Sequence, residues 1–372
     1  MRALNLRGLR SWFWRLLPAA AITLISVHAA TSDPAVVSSE MIVPNPSFPS
    51  SHASTIVETP DGLVAAWFGG TREGASDVSI WLSRNSGGAW SEPEEVANGT
   101  DTSEQRRYPA WNPVLFLRRN GDLLLFYKVG PNPAHWWGMV RLSKDNGKSW
   151  IKARRLPSGF VGPVRNKPIE LPDGTILCGA SHEDAGWRVR LEWARDPFDL
   201  WSCGPFLNAA FTMAAIQPTI LEQGGKSYQI LCRSKQGWIM SSWTRNGGDS
   251  WTPLARTSLP NPNSGIDGVT LKDGKQLLVY NHAKKGRGNL NVAISEEAAH
   301  GRRWRSSKTN RAASSPIRPS SRPRTAWCTP PTPGNGSASN TWCSIPPNSS
   351  RARSWMIAGR RPDRLATRPT SL

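Results

Sequence analysis

Cysteine is scarce in this chain. Its 372 residues include five, and only Cys178, Cys203 and Cys232 fall in the body. Three scattered thiols make neither a disulfide framework nor a zinc signature. An oxidising compartment permits one disulfide among them, and the spacing singles out no pair. Long apolar runs are also missing: only Leu16–Val27 approaches membrane length, and it is short for a span of about 20 residues. No extended stretch repeats with a 3.6-residue period, while 32 Gly and 31 Pro punctuate the chain throughout. Helical repeat arrays are thereby excluded. No metal-ligand cluster, phosphate-cradling glycine loop or Ser-His-Asp pattern rises above chance, so no cofactor and no metal is expected. The body also lacks an excess of one charge. The net charge of +19 sits at the ends: residues 1–30 carry +4 and residues 301–372 carry +13. The 270 residues between hold 28 basic against 26 acidic side chains. A body so balanced cannot neutralise a phosphate backbone, which excludes nucleic acid as its partner.

Each end needs its own explanation. Arg2, Arg7, Arg10 and Arg15 come before the apolar run, and Val27-His28-Ala29-Ala30 follows it with small residues. That order is the one a secretory signal peptide has. Residues 1–30 are therefore expected to export the protein to the periplasm or beyond the cell. Left uncleaved, the segment would be a membrane anchor, and that is the one route to a membrane partner.

What the body does have is repetition. Ser83-Arg-Asn85-Ser-Gly87-Gly-Ala-Trp90, Ser143-Lys-Asp145-Asn-Gly147-Lys-Ser-Trp150 and Thr244-Arg-Asn246-Gly-Gly248-Asp-Ser-Trp251 share one pattern: hydroxyl, x, Asp/Asn, x, Gly, x, x, Trp. The chemistry suits a hairpin turn. The Asp/Asn side chain bonds nearby backbone N–H groups, Gly takes the positive-φ position, and the Trp packs as the next strand begins. A degenerate copy without the glycine runs from Ala194 through Asp196 to Trp201. A second marker recurs with the same period of about 50 residues: Asp61-Gly62, Gly121-Asp122, Asp173-Gly174, Gly224-Gly225 and Asp273-Gly274, each before a β-rich run. Two marker sets per period indicate a four-stranded unit, the size of a propeller blade.

Beyond Glu296 both markers vanish and the chain becomes rich in Arg, Pro and Ser. With permissible codon choices, and the third base of each codon joined to the first two of the next, residues 296–350 can be read in a shifted frame that restores both, and a frameshift near residues 296–298 is the expectation. A turn ending in Thr-Trp appears after Ser295, followed by a Tyr-Pro pair and an Asp-Gly turn. The expected organisation is a signal peptide at 1–30, a propeller at 31–296 holding blades 1–5 and the start of a sixth, and an out-of-frame basic tail at 297–372. The fold class is all-β, a six-bladed propeller whose last blade the frameshift disrupts.

The hydroxyl-x-Asp/Asn-x-Gly-x-x-Trp segments resemble the Asp-boxes of the sialidase superfamily. HASTIVETPDGLVAAWFGGTREGASDVSIWLSR, YPAWNPVLF, NKPIELPDG and LPNPNSGIDGVTL resemble its bacterial branch with BNR repeats. The resemblance implies a six-bladed propeller with a site on its axis, and an exo-glycosidase acting on a terminal sialic-acid-like or other acidic sugar of a glycoconjugate. Inner strands begin at that axis, at His52-Ala53, Asn112-Pro113, Lys167-Pro168, Gln217-Pro218 and Asp267-Gly268. A ring of polar residues around one channel mouth makes a natural pocket. Such chemistry uses an Arg cluster for the sugar carboxylate, because the guanidinium fork matches it bidentately. It also uses a carboxylic acid to protonate the leaving oxygen and, in this family, a Tyr nucleophile.

By this resemblance Arg72, Arg233 and Arg287 hold the carboxylate, with His52, Asn112, Lys167 and Asp267 lining the sugar site. Asp77 is the general acid, with Glu73 as its rival. Gln217 stands where the family places the Glu that partners the Tyr, and Asp267 or Glu183 would have to take that work. The family's first Arg-Ile-Pro motif is replaced by His52-Ala53-Ser54, and the Tyr itself lies only in the shifted frame. A rival expectation is a carbohydrate-binding propeller without hydrolysis, with Trp111, Trp136, Trp137 and Trp187 as stacking faces. A third is an inactive frameshifted product.

Overall fold

A computed structural model describes residues 38–296, 303–311, 328–329, 339–340 and 342–343. Among these the chain is all-β, built as five four-stranded antiparallel blades. Blade 1 runs Ser50–Thr59, Gly62–Gly70, Ser79–Asn85, Glu94–Ala97, and blade 2 runs Ala110–Leu117, Leu123–Val129, Trp137–Ser143, Arg154–Arg155. Blade 3 is Ile169–Glu170, Ile176–His182, Arg188–Asp196, Leu200–Cys203. Blade 4 is Ala215–Glu222, Tyr228–Ser234, Trp238–Thr244, Ala255–Pro260. Blade 5 is Asp267–Thr270, Gln276–Tyr280, Asn289–Glu296, Arg303–Arg311. In each, sequence order is spatial order from the inner to the outer strand.

Glu296 ends the third strand of blade 5, and Arg303–Arg311 pairs beside it as the outer strand. The expected sixth blade, the shifted-frame Tyr and the export segment lie outside the described residues.

Strand parity explains the apolar runs. Leu123, Leu125 and Tyr127 pack towards blade 1, against Val64, Ala66 and Leu82. Leu124 and Phe126 point the other way, onto Ile176 and Cys178 of blade 3. The same alternation sends Leu177 towards Ile230 of blade 4, and Leu231 towards Leu278 of blade 5. A strand buried on both faces cannot alternate apolar with polar, so it reads as continuous hydrophobic sequence. Each core therefore lies between blades. Close approach at one seam needs a glycine: a Cβ on Gly179 would sit 2.7 Å from Pro218.

Both repeat markers do structural work. All five glycine-bearing turns join inner to second strands, and the four Trp-ending turns join third to outer strands. In the second copy Ser143 Oγ accepts from Gly147 N at 2.7 Å and donates to Asp145 at 2.7 Å. Asp145 in turn accepts from Ser149 N at 2.8 Å. The Thr244 copy repeats this, with Gly248 N on Thr244 Oγ1 at 3.1 Å and Ser250 N on Asn246 at 3.1 Å. The first copy differs: Asn85 receives Gly88 N at 2.9 Å, and Ser83 Oγ donates to the Ser91 carbonyl at 2.7 Å.

Candidate functional site

Antiparallel strands fix which residues can meet. Every marker turn lies on one face of the propeller, since it joins strand one to two or three to four. The loops between second and third strands, and the connectors between blades, therefore share the opposite face with the starts of the inner strands. Arg72, Glu73 and Asp77 lie in such a loop of blade 1, and Glu183 and Trp187 in that of blade 3. Arg233 ends the second strand of blade 4, Arg287 lies in the loop of blade 5, and Arg165 and Lys167 precede the inner strand of blade 3.

The inner strands open with strained backbone. Ala53, Asn112 and Gln217 have φ of 49°, 43° and 56°. Each sits at a register shift, between His52 and Thr55, Trp111 and Val114, and Ile216 and Thr219. The same bulge recurs in blades 1, 2 and 4. In blade 3 Arg165 takes the corresponding strain, with φ of 69° at the centre of a tight turn closed by Asn166 N on the Val164 carbonyl at 2.9 Å.

Arg165 was not legible as a site residue, yet it organises the basin. It reaches from blade 3 to the entry of blade 5, donating to the Ile266 carbonyl at 3.0 Å. It can do so because residue 265 is glycine, whose Cβ would come within 2.7 Å of the Arg165 guanidinium carbon. Burial lowers the Arg165 pKa, opposed by the nearby Asp267 carboxylate and reinforced by Arg287. Lys167 is lowered by burial in the same way, and Asp267 also opposes this shift.

Arg233 is the most unusual group. Burial lowers its pKa to about 10, and the positive charges of Arg165 and Arg287 push in the same direction. Glu183 and Glu73 counter this only in part. Its side chain donates to the Gln217 amide oxygen at 3.2 Å, and its buried Nε has no partner. Trp187 supports it, with the Arg233 guanidinium 5.2 Å and the Lys235 ammonium 4.5 Å from the indole ring. Arg287 donates to the Asn263 carbonyl at 2.7 Å, while the buried Asn263 Oδ1 is also without a partner.

The carboxylates divide. Glu73 shares the field of both His52 and Arg233. His52 is lowered by burial and meets Ser50 Oγ at 3.1 Å. Asp77 is held elsewhere: Thr71 donates to it from its hydroxyl at 2.5 Å and its N–H at 2.8 Å, which lowers its pKa. Arg72 is exposed. Glu183 is half-buried and raised by burial, although Arg233, Trp187 and Lys235 stabilise its charge. The structure thus brings together Arg165, Lys167, Arg233, Arg287, Asp267, Glu73, Glu183, His52 and Gln217. Asn112 lines the blade 2 entry, buried at its bulge.

Of the expected stacking faces, Trp111 is core: it is buried and donates to the Gly130 carbonyl at 2.9 Å. Tyr127, Tyr228 and Tyr280 pack between blades, and Tyr108 sits on a hairpin with its hydroxyl on Glu104 at 2.6 Å. Among the described residues no group of three or more His, Cys, Asp or Glu is placed to hold a metal, and Cys178, Cys203 and Cys232 are free thiols.

Comparison with known proteins agrees with this architecture. The family model described as a BNR repeat-like domain matches residues 61–317. No curated protein matches the chain. Among solved structures it is similar to a Hadza microbial sialidase at 16% identity and TM-score 0.59, covering 71% of this chain and 59% of that one. The NanB sialidase of Streptococcus pneumoniae, as its K499G mutant, aligns at 12% identity and TM-score 0.60, covering 75% and 64%. A protein of unknown function from Dyadobacter fermentans aligns at 14% identity and TM-score 0.56, covering 73% and 98%. The chain spans about three fifths of the length of the two sialidases. At these identities the likeness is one of fold.

Proposed function

Given that the chain belongs to the BNR repeat-like domain family, we propose that its axial basin binds the carboxylate of a terminal acidic sugar, sialic acid or a relative, in a glycoconjugate. We further propose that this is the recognition step of an exo-glycosidase of the sialidase type. The observation that carries the reading is Arg233. A half-buried guanidinium flanked by two other arginines, with an amide as its hydrogen-bond partner and carboxylates that offset its charge only in part, is an under-compensated charge. A carboxylate supplies the missing countercharge and the missing acceptor in one group. Arg165 and Arg287 complete the cationic wall, and Lys167 with Asp267 offers a donor and an acceptor for sugar hydroxyls. Asp77 is held as an anion by Thr71 and is poorly suited to give up a proton at neutral pH, which leaves Glu73 of the same loop as the other carboxyl for that role.

Gln217 favours a second reading, binding without hydrolysis. An amide at that position cannot accept a proton from a nucleophile, and the encoded tyrosines are engaged in interblade packing or, for Tyr108, with Glu104. Titrating the full chain with a methyl α-sialoside, alongside a turnover assay, separates the two. Binding that disappears in Arg233→Ala supports the basin as assigned, and turnover decides between hydrolase and lectin. Unchanged binding by Arg233→Ala would remove the assignment. Export through residues 1–30 completes the proposal, since extracellular glycoconjugates would then be the accessible substrates. Recovery of a chain starting near residue 31 from the extracytoplasmic fraction would test it.

A further inference from the structure

A large hydrophobic side chain stands in solvent on the basin's face of the propeller. Among the described residues Ile151, Leu200 and Phe211 are exposed, and Phe211 is 99% exposed. Ile151 and Leu200 sit at Trp-ending turns on the opposite face, whereas Phe211 lies in the connector from blade 3 to blade 4, on the face of the basin. The local structure holds it there. Met213 N and Thr212 N both donate to the Ala209 carbonyl, at 2.9 and 3.1 Å, and close a turn with Phe211 at its tip. The Asn208 side chain braces that turn, donating to the Met213 carbonyl at 2.5 Å and to the Trp187 carbonyl at 2.8 Å. Lys235 N on the Ala214 carbonyl at 3.0 Å ties it to blade 4. Leu207 and Met213, on either side, pack into the core between blades 3 and 4, while Phe211 does not.

Exposed cations share this face. Lys235 lies in the loop between the second and third strands of blade 4, and Lys284 and Lys285 in that of blade 5. Arg256, on the outer strand of blade 4, stands 3.5 Å from the centre of the Trp238 ring, and the Lys284 ammonium stands 4.7 Å from the same ring. All four are exposed, and none makes a salt bridge among the described residues. The exposed Asp184 of blade 3 is already paired with Arg188 at 2.9 Å. A singly exposed apolar residue is ordinary on a protein surface. A fully exposed phenyl ring on a braced tip, on the same face as unpaired cations, has a more specific meaning. The ring gains free energy by entering an apolar phase, and the cations gain by meeting an anionic surface. A soluble polyanion satisfies the cations and leaves the ring in water. A bilayer with anionic headgroups satisfies both.

We propose that this face docks onto an anionic lipid bilayer, with Phe211 entering the headgroup region and Lys235, Arg256, Lys284 and Lys285 meeting the lipid charge. The contact is separate from residues 1–30 and does not depend on what the basin binds. Docking in this way turns the basin towards the bilayer.

Co-sedimentation of the full chain with vesicles of equal parts phosphatidylglycerol and phosphatidylcholine tests the proposal. These vesicles carry no sugar, so the result is independent of the basin reading. The basic ends of the chain are the same in every variant, so differences between variants report on the face alone. Phe211→Ser, and Lys284→Glu combined with Lys285→Glu, are each expected to weaken binding at least tenfold, while Phe211→Trp retains it. All three positions are exposed, and unchanged melting temperatures show that the variants fold. The proposal stands only if both substitutions weaken binding. Wild-type binding by both variants overturns it and assigns the affinity to the ends of the chain. Loss in the lysine variant alone also overturns it and makes a polyanionic polymer the occupant, for which dextran sulfate is the probe. Absence of wild-type binding to the mixed vesicles overturns it outright.

Discussion

Lys128 is a charge buried where strand parity put it. It shares a face with Leu124 and Phe126 on the second strand of blade 2 and therefore points into the seam with blade 3. It is fully buried, and its ammonium donates to the Pro163 carbonyl at 2.9 Å. Burial lowers its pKa to about 7, opposed in part by Glu192 and weakly by Cys178. Glu192 does not depend on it: that carboxylate accepts from Gly162 N at 2.8 Å, from Arg190 at 2.6 and 2.9 Å and from Val161 N at 3.2 Å, with His182 at 3.4 Å.

The sign of the pH effect follows from these positions. A free lysine titrates near 10.4. Between the folded value of about 7 and the unfolded value, the unfolded chain holds more protons, so stability rises with pH across that window. From pH 7 to pH 8 the gain is about 1 kcal/mol for one such group. Above about pH 8.5 the buried thiols of Cys178 and Cys232, both raised by burial, act in the opposite direction, so the test stops at pH 8. Lys128→Met keeps most of the volume and removes the titration. It leaves the Pro163 carbonyl unpaired, at a cost of about 1–3 kcal/mol, and it relieves a desolvation penalty larger than that. The Lys128→Met protein is expected to be at least as stable as the wild type at pH 7, with an advantage that shrinks by about 1 kcal/mol at pH 8. Urea unfolding of both proteins at pH 7.0, 7.5 and 8.0 measures the difference. Parallel pH dependences would refute the reasoning, because they would mean that Lys128 carries the same charge in both states.

Three further outcomes follow from the geometry. Ser143→Ala should destabilise the protein by about 1–3 kcal/mol in chemical denaturation, because it strips the buried Gly147 N–H of its acceptor; an effect within error would show that the turn does not depend on the hydroxyl. Gly179→Ala should cost about 1–3 kcal/mol by forcing blades 3 and 4 apart at Pro218, read as a lower melting temperature. Gln217→Glu should weaken binding of an acidic sugar roughly tenfold at pH 7, a change of about 1.4 kcal/mol, because a carboxylate beside Arg233 satisfies the cation internally; tighter binding would contradict the role assigned to Arg233.

The scaffold was legible because it rests on local rules that repeat. Five turns of one kind and four of another, recurring with one period and each with its own chemistry, dictate a four-stranded unit, and the runs between them dictate strands buried on both faces. Where a copy departed from the pattern, its bonding departed too. Ala194 in the degenerate turn has no hydroxyl to offer the backbone, and Asp196 instead caps Phe198 N at 2.8 Å. Lys167, Gln217 and Asp267 were legible as candidates because they stand at comparable points of a repeat, and Arg233 and Arg287 through the family resemblance. Arg165 was not. It sits in a connector of irregular length, and its importance depends on a glycine about a hundred residues away that leaves room for it. Trp111 misled for the converse reason: tryptophan serves core and sugar surface alike, and only its buried N–H, satisfied by a backbone carbonyl, tells them apart.

The places where local rules fail coincide with the basin. Non-glycine residues at positive φ open three inner strands, a fourth strained residue is the arginine that crosses to blade 5, and the half-buried guanidinium beside them has no carboxylate partner at hydrogen-bonding distance. Each is unfavourable by itself, at roughly 1–3 kcal/mol for the backbone strain alone. With Lys128 the exception, the blade seams meet their local preferences, and the gathering of strained residues at one end of the axis singles out that end as the candidate ligand site. The excess of cations there is what supports the proposal of an anionic sugar as the occupant, and it could not be inferred from the overall charge of +19, which lies almost entirely in the two ends of the chain.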